Sequence, residues 1–194
     1  MKKTWLITAA LLSSVALSAC SSSDTTKKAT AAPKSTESES KPDPAVEKAA
    51  QEKKEFDSYL NIEAIAFVQE YQDITNRANK SIKKTNNRTE QVAYIKKTLI
   101  PELKKLEKLV KDKKYKSPNV NAAHQHLVKI ITIDREGTEK LTNTSNPATF
   151  QKEKAKYKAQ NNVAADAYDR AIKDLAITHQ IDTTKFYRVL LAGK

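Results

Sequence analysis

Apolar residues recur along most of this chain at intervals of three and four. Phe56, Leu60, Phe67, Tyr71, Ile74, Ala78 and Ile82 mark one face of a long first helix. Val92, Ile95, Leu99, Leu103, Leu106 and Val110 make a second stripe, and Val120, Ala123, Leu127, Ile130, Ile131, Gly137 and Leu141 a third. Phe150, Tyr157, Ala164, Tyr168, Ile172 and Leu175 make a fourth. The breaks between stripes carry helix-start chemistry. Asp43-Pro44, Ser117-Pro118 and Asn146-Pro147 each put a side-chain acceptor at the N-cap and a proline at the first helical position. Asn87 with Glu90 forms a capping-box-like pair, and Asp182 is placed to cap a short last helix through Phe186, Val189 and Leu190. Pro101 falls inside the second stripe without breaking its phase, which predicts a kink there. Gly137 inside the third predicts a close approach by a neighbouring helix. The expected fold is all-α: an antiparallel four-helix bundle with a short C-terminal helix.

The pattern fails toward the N-terminus. Residues 21–44 are mostly Ser, Thr, Lys, Ala, Glu and Pro with no large apolar side chain, so burial cannot offset the entropy of ordering them. They are expected to form a disordered tether. Before them, Lys2 and Lys3 precede an apolar run from Trp5 to Leu17 that ends in small residues, the layout of a secretory signal. The run is too short to span a ~30 Å hydrocarbon core comfortably. Its exit, Leu17-Ser18-Ala19-Cys20, resembles the lipobox of bacterial lipoproteins. That resemblance implies cleavage between Ala19 and Cys20 and a diacylglyceryl group on the Cys20 thiol. Cys20 is the only cysteine, so it has no disulfide partner within the chain. The expected organisation is a signal peptide over 1–19, a lipidated cysteine and tether over 20–44, and a helical domain over 45–194.

Composition sharpens this picture. Two glycines in 194 residues favour helix over sheet and leave no phosphate-cradling loop. The chain carries a formal charge of +12, of which Lys2 and Lys3 would leave with a cleaved signal. Nine lysines lie between Lys96 and Lys116 against Glu102, Glu107 and Asp112, and Lys104, Lys105, Lys108, Lys111 and Lys114 form a candidate basic face. A second run holds Lys152, Lys154, Lys156 and Lys158. Outside a membrane such faces suit anionic headgroups, an anionic wall polymer or a surface protein, with salt-sensitive attraction. Nucleic acid is not expected, because arginine clusters and an aromatic platform are missing.

Candidate chemistry is sparse. His124 and His126, two residues apart on a helix, point about 200° from each other and cannot share a metal. The zincin pattern and the Glu-x-x-His pair of di-iron bundles do not occur, nor does a Gly-x-Ser-x-Gly elbow. Glu63 and Glu70 are expected to face inward from the first helix. Glu63, His124 and Asp134 form a candidate inward polar cluster, able in principle to hold a metal or a proton and more plainly read as hydrogen-bonded interior groups. No catalytic residue, metal or cofactor is expected. Lipobox, polar tether and lysine-rich helices together resemble the small cell-surface lipoproteins of low-GC Gram-positive bacteria. The resemblance implies a membrane-anchored, non-enzymatic binding module, with a small-ligand or metal-binding bundle, or an enzyme of unrecognised type, as alternatives. Beyond Cys20 it carries over no functional residue.

Overall fold

A computed structural model of the protein describes residues 43–192. The expected signal peptide, Cys20 and nearly all of the tether lie outside them. Among the described residues there are five continuous helices and no strand. Helix α1 covers 44–83, α2 covers 88–112, α3 is Pro118–Thr142, α4 is Pro147–His179 and α5 is Thr184–Ala192.

Contacts between helices give the topology. Arg77 of α1 meets Glu102 of α2, and Glu63 meets Tyr115 just beyond the end of α2, so these helices run antiparallel. Lys104 with Glu139 and Val110 with His124 give the same sense for α2 and α3. Tyr59 with Tyr168, and Glu52 with His179, close α4 back onto α1. On the diagonal α1 and α3 run parallel, Tyr59 against His124 and Tyr71 against Asp134. The result is an antiparallel four-helix bundle with α5 folded against α1. Gln72 Nε2 donates to the carbonyls of Val189 and Leu190, and Phe186 is buried edge-on to Tyr168.

The helix starts form as their sequences require. Asp43, Asn87, Ser117 and Asn146 each accept from a backbone N–H two or three residues further on, and Asp182 does so for Thr184. Each cap is worth roughly 1 kcal/mol. The Asn87–Glu90 pair departs from a strict capping box. Glu90 accepts from the Asn87 side chain and from the Thr85 hydroxyl, while the Asn87 N–H donates to Thr85 Oγ1. Gly137 does admit a neighbour: a Cβ there would lie 3.0 Å from Cγ of Tyr157 on α4.

Two irregular turns were outside the sequence pattern. α1 passes through a π-helical turn at Tyr59–Ala64 between the α-helical segments Pro44–Ser58 and Ile65–Lys83. α2 contains another at Ile95–Leu99, directly before Pro101. Ile100 N–H reaches back to the Ile95 carbonyl, so α2 takes a wide turn ahead of the proline and runs on unbroken to Asp112. The π turn in α1 shifts the buried face. Tyr59, Ile65 and Val68 are buried, while Phe67 and Tyr71 are only partly so and Glu70 is exposed rather than inward. At the start of α2, Gln91 is buried where Val92 was expected to lead the stripe. Its Nε2 donates to the carbonyls of Ile82 and Thr85, closing the end of α1.

α4 ends on Gln180 at φ 53°, the left-handed position that glycine occupies at many helix C-termini. The N–H of Ile181 then reaches the Ala176 carbonyl. Gln180→Gly relieves the contact of Cβ with the following carbonyl and is expected to raise stability by about 0.5–1 kcal/mol. Urea denaturation at neutral pH checks this; an unchanged or lower midpoint would show that the glutamine is unstrained.

Candidate functional site

The lysine face of α2 arises because Ile100, Leu103, Leu106, Glu107 and Val110 turn inward, leaving the intervening lysines on the outer arc. All five residues of the expected basic face are exposed. The structure divides them. Lys104 Nζ lies 2.7 Å from Glu139 of α3, and Lys111 Nζ lies 2.6 Å from Glu107 one turn back. Lys105, Lys108 and Lys114 form no ion pair among the described residues and point their charge into solvent.

Beside this face is an ionic network that sequence inspection missed. Glu107 accepts from Arg135 Nε at 2.7 Å, from Lys111 at 2.6 Å and from the Thr132 hydroxyl at 2.8 Å. Arg135 also holds Glu139 at 2.8 Å and Glu136 at 3.1 Å. Burial pushes the Glu107 carboxyl up, but the bonds from Arg135, Lys111 and Thr132 outweigh it and hold it at about 2. The signal was present: Glu107 shares the register of Leu103, Leu106 and Val110, which a solvent-facing residue would not.

The expected inward cluster is two separate sites. His124 is fully buried, with Nε2 2.8 Å from the Val110 carbonyl. A carbonyl only accepts, so Nε2 carries the proton. Nδ1 is then the bare nitrogen, and it has no hydrogen-bond partner. Three rings surround the imidazole, with centroids of Tyr115, Tyr59 and Phe67 at 5.0, 5.7 and 6.1 Å. Burial lowers the His124 pKa, opposed by the Val110 bond and the charge of Glu63, so the neutral imidazole is favoured. Glu63 sits at the outer edge of this site, accepting from the Tyr115 hydroxyl at 2.9 Å and lying 3.3 Å from Lys113.

Asp134 stands ten residues further along α3, about 15 Å at the helical rise. It accepts from the Tyr71 hydroxyl at 2.9 Å. Burial raises its pKa to about 6, with the Tyr71 bond pulling the other way. Glu63 and His124 are thus neighbours and Asp134 is not. Among the described residues no group of three or more His, Cys, Asp or Glu could hold a metal ion.

A Ser–Glu–His constellation at the end of the bundle completes the inventory. Glu52 accepts from Ser117 Oγ at 2.6 Å and from Asn119, and lies 2.9 Å from His179 Nε2. The carboxylate stands between the other two. The serine hydroxyl points at the acid rather than at the imidazole, so this order does not deliver a proton from serine to histidine. These bonds clasp α1, α3 and α4. Sequence spacing could not have suggested them, because the partners lie more than sixty residues apart.

No protein-family profile, curated protein or solved structure matches this chain. Among the described residues no helix is long and apolar enough to cross a membrane.

Two substitutions test the polar interior. Glu107→Gln is expected to cost about 2 kcal/mol at pH 7, less than for a fully buried pair because Lys111 and Glu139 keep solvent contact. The Glu107 carboxyl is depressed in the folded chain, so its contribution is complete above about 4.5 and fades as pH falls through about 2. The gap between wild type and variant should narrow at pH 3; a constant gap would remove the ionic explanation.

Asp134 has the opposite sign. With its carboxyl raised to about 6, the stability of the protonated form is full below about 3.8 and lost as pH rises through 6. Relative to wild type, Asp134→Asn should gain about 2 kcal/mol between pH 4 and pH 7.5. Denaturation curves at the two pH values measure this, and a pH-independent difference would refute it.

Proposed function

We propose that this protein is a membrane-anchored surface lipoprotein whose helical bundle acts as a non-enzymatic binding module at the cell envelope. The observation that carries the reading is Leu17-Ser18-Ala19-Cys20 at the end of a basic-then-apolar N-terminus. A lone cysteine at that point has a chemical role as acceptor of a diacylglyceryl group, and two acyl chains hold where one would be marginal. Lys105, Lys108 and Lys114, unpaired and exposed, support an anionic partner. The interior supports binding over catalysis: Glu52, Glu63, Glu107 and Asp134 are each engaged by partners within the bundle.

Metabolic labelling with a fatty-acid analogue, followed by membrane fractionation with a high-salt wash, tests the anchor. Wild type is expected to carry label and stay with the membrane. Cys20→Ser is expected to lose label and its salt-resistant membrane association. An unlabelled wild-type chain would sink the proposal.

A further inference from the structure

We propose that the connection between α2 and α3, residues 113–117, is a strap that mild acid releases from the bundle, with the buried imidazole of His124 as the trigger. The strap has no regular secondary structure of its own. Among the described residues its polar fastenings on α1 are all carboxylates. Glu55 accepts from the backbone N–H groups of Lys116 and Ser117 at 2.7 and 2.5 Å, and Glu52 accepts from the Ser117 hydroxyl at 2.6 Å. Glu63 accepts from the Tyr115 hydroxyl at 2.9 Å and lies 3.3 Å from Lys113.

Beneath the strap lies His124, and the walls around it differ in kind. Tyr59 and Phe67 belong to α1, and the Tyr59 hydroxyl is tied in turn to that of Tyr168 on α4. Tyr115 belongs to the strap and is only partly buried. From α2 comes the Val110 carbonyl, which takes the Nε2 proton at 2.8 Å. The imidazole is therefore complete as a neutral ring. A second proton goes to Nδ1, which has no acceptor, and the ring has no exposed surface through which water could supply one. Such a charge is stranded in the interior. Burial opposes it, and the charges of Lys114 and Lys113 on the strap add to that; the Val110 bond and Glu63 favour it without prevailing, so the pKa of His124 lies below its ordinary value.

A histidine held below its ordinary value stabilises the closed form fully above about 6.5 and loses that contribution as pH falls. Moving Tyr115 aside relieves the stranded charge, because Tyr115 is the one ring wall that stands outside a helix. The other polar contacts of α3 withstand the same acid. Glu107, although burial raises its carboxyl, is held at about 2 by Arg135, Lys111 and Thr132. Burial raises Asp134 to about 6, so its protonated form suits the interior better. At the far end of the strap the Ser117 hydroxyl, against some burial and helped by Asn119 and His179, holds Glu52 below the usual carboxylate range. Release therefore begins at Tyr115, and the Ser117 end lets go last.

The test is hydrogen exchange on the full-length chain in detergent at pH 7 and pH 5, a window in which imidazoles titrate and most carboxylates do not. Protection over 113–117 is read against the unfolded chain at the same pH, which cancels the intrinsic pH dependence of exchange. Protection over 127–141 of α3 reports the core. Strap protection is expected to fall about tenfold between pH 7 and pH 5 while 127–141 keeps its own. One imidazole suffices for this, since each pH unit below about 6.5 shifts a proton-coupled opening by up to tenfold. His124→Gln, whose amide can still donate to the Val110 carbonyl but takes no charge, should hold the strap closed at pH 5. Tyr115→Phe keeps the ring wall but drops the bond to Glu63, and should lower protection about fivefold already at pH 7. Circular dichroism at both pH values checks that each variant remains helical. Unchanged protection in wild type would overturn the strap, and is the result to expect if Asn121 Oδ1, unpartnered one turn earlier on α3, takes the new proton. So would a fall at 113–117 matched at 127–141, which is unfolding of the whole, or an equal fall in His124→Gln, which would put the trigger elsewhere. Should His124→Gln fail to fold, Tyr115→Phe still decides: undiminished protection at pH 7 would show that the Glu63 bond does not fasten the strap.

Discussion

The register of the bundle depends on α3. One polar or small residue after another along this helix fixes the position of a neighbour. Ser117 at its cap meets Glu52 of α1, His124 meets the Val110 carbonyl of α2, and Asp134 meets Tyr71 of α1. Arg135 grips Glu107 of α2, and Gly137 lets Tyr157 of α4 come to where a side chain would otherwise stand. Apolar packing alone would allow helices to slide by a turn at modest cost. A buried acceptor or imidazole displaced from its partner loses a hydrogen bond in a low-dielectric interior, which costs more than a shifted methyl group. The polar contacts of α3 therefore select one register, while Phe56, Leu103, Val120, Ile172 and their neighbours supply the bulk of the burial.

Much of this was legible in advance because helix periodicity and capping are local. Stripes three and four apart, prolines at first helical positions and side-chain acceptors before them are short-range signals, and α3, α4 and the caps follow them closely. The departures are long-range. A π-helical turn in α1 changes which residues face inward after Tyr59, and no residue type marks its position. Gln91 is buried only because the end of α1 offers it two carbonyls. Glu63, His124 and Asp134 were grouped because all three turn inward. Separation along the helix axis, which a helical wheel discards, divides them.

Chemistry inside the bundle follows from satisfaction of these groups. The inward carboxylates accept hydrogen bonds from tyrosines, an arginine, a lysine, a threonine and a serine within the bundle. His124 keeps a bare nitrogen, but three aromatic rings close around it. These bonds and ring contacts hold the helices in one register. Lys105, Lys108, Lys114 and Lys116, on the outer arc of α2 and the connection after it, are exposed and form no ion pair among the described residues.

The first turns of α1 join the bundle through few contacts, and they are of mixed kind. Residues 44–51 are exposed, and the first side chains to hold the bundle are Glu52, Glu55 and Phe56. Phe56 is apolar and fully buried; Glu52 and Glu55 hold the α2–α3 connection and the end of α4 by charge-assisted hydrogen bonds. α1 is thus tied to α3, to α4 and to the α2–α3 connection within a few residues of one another. The same bonds keep Lys116 beside Lys48 at this end.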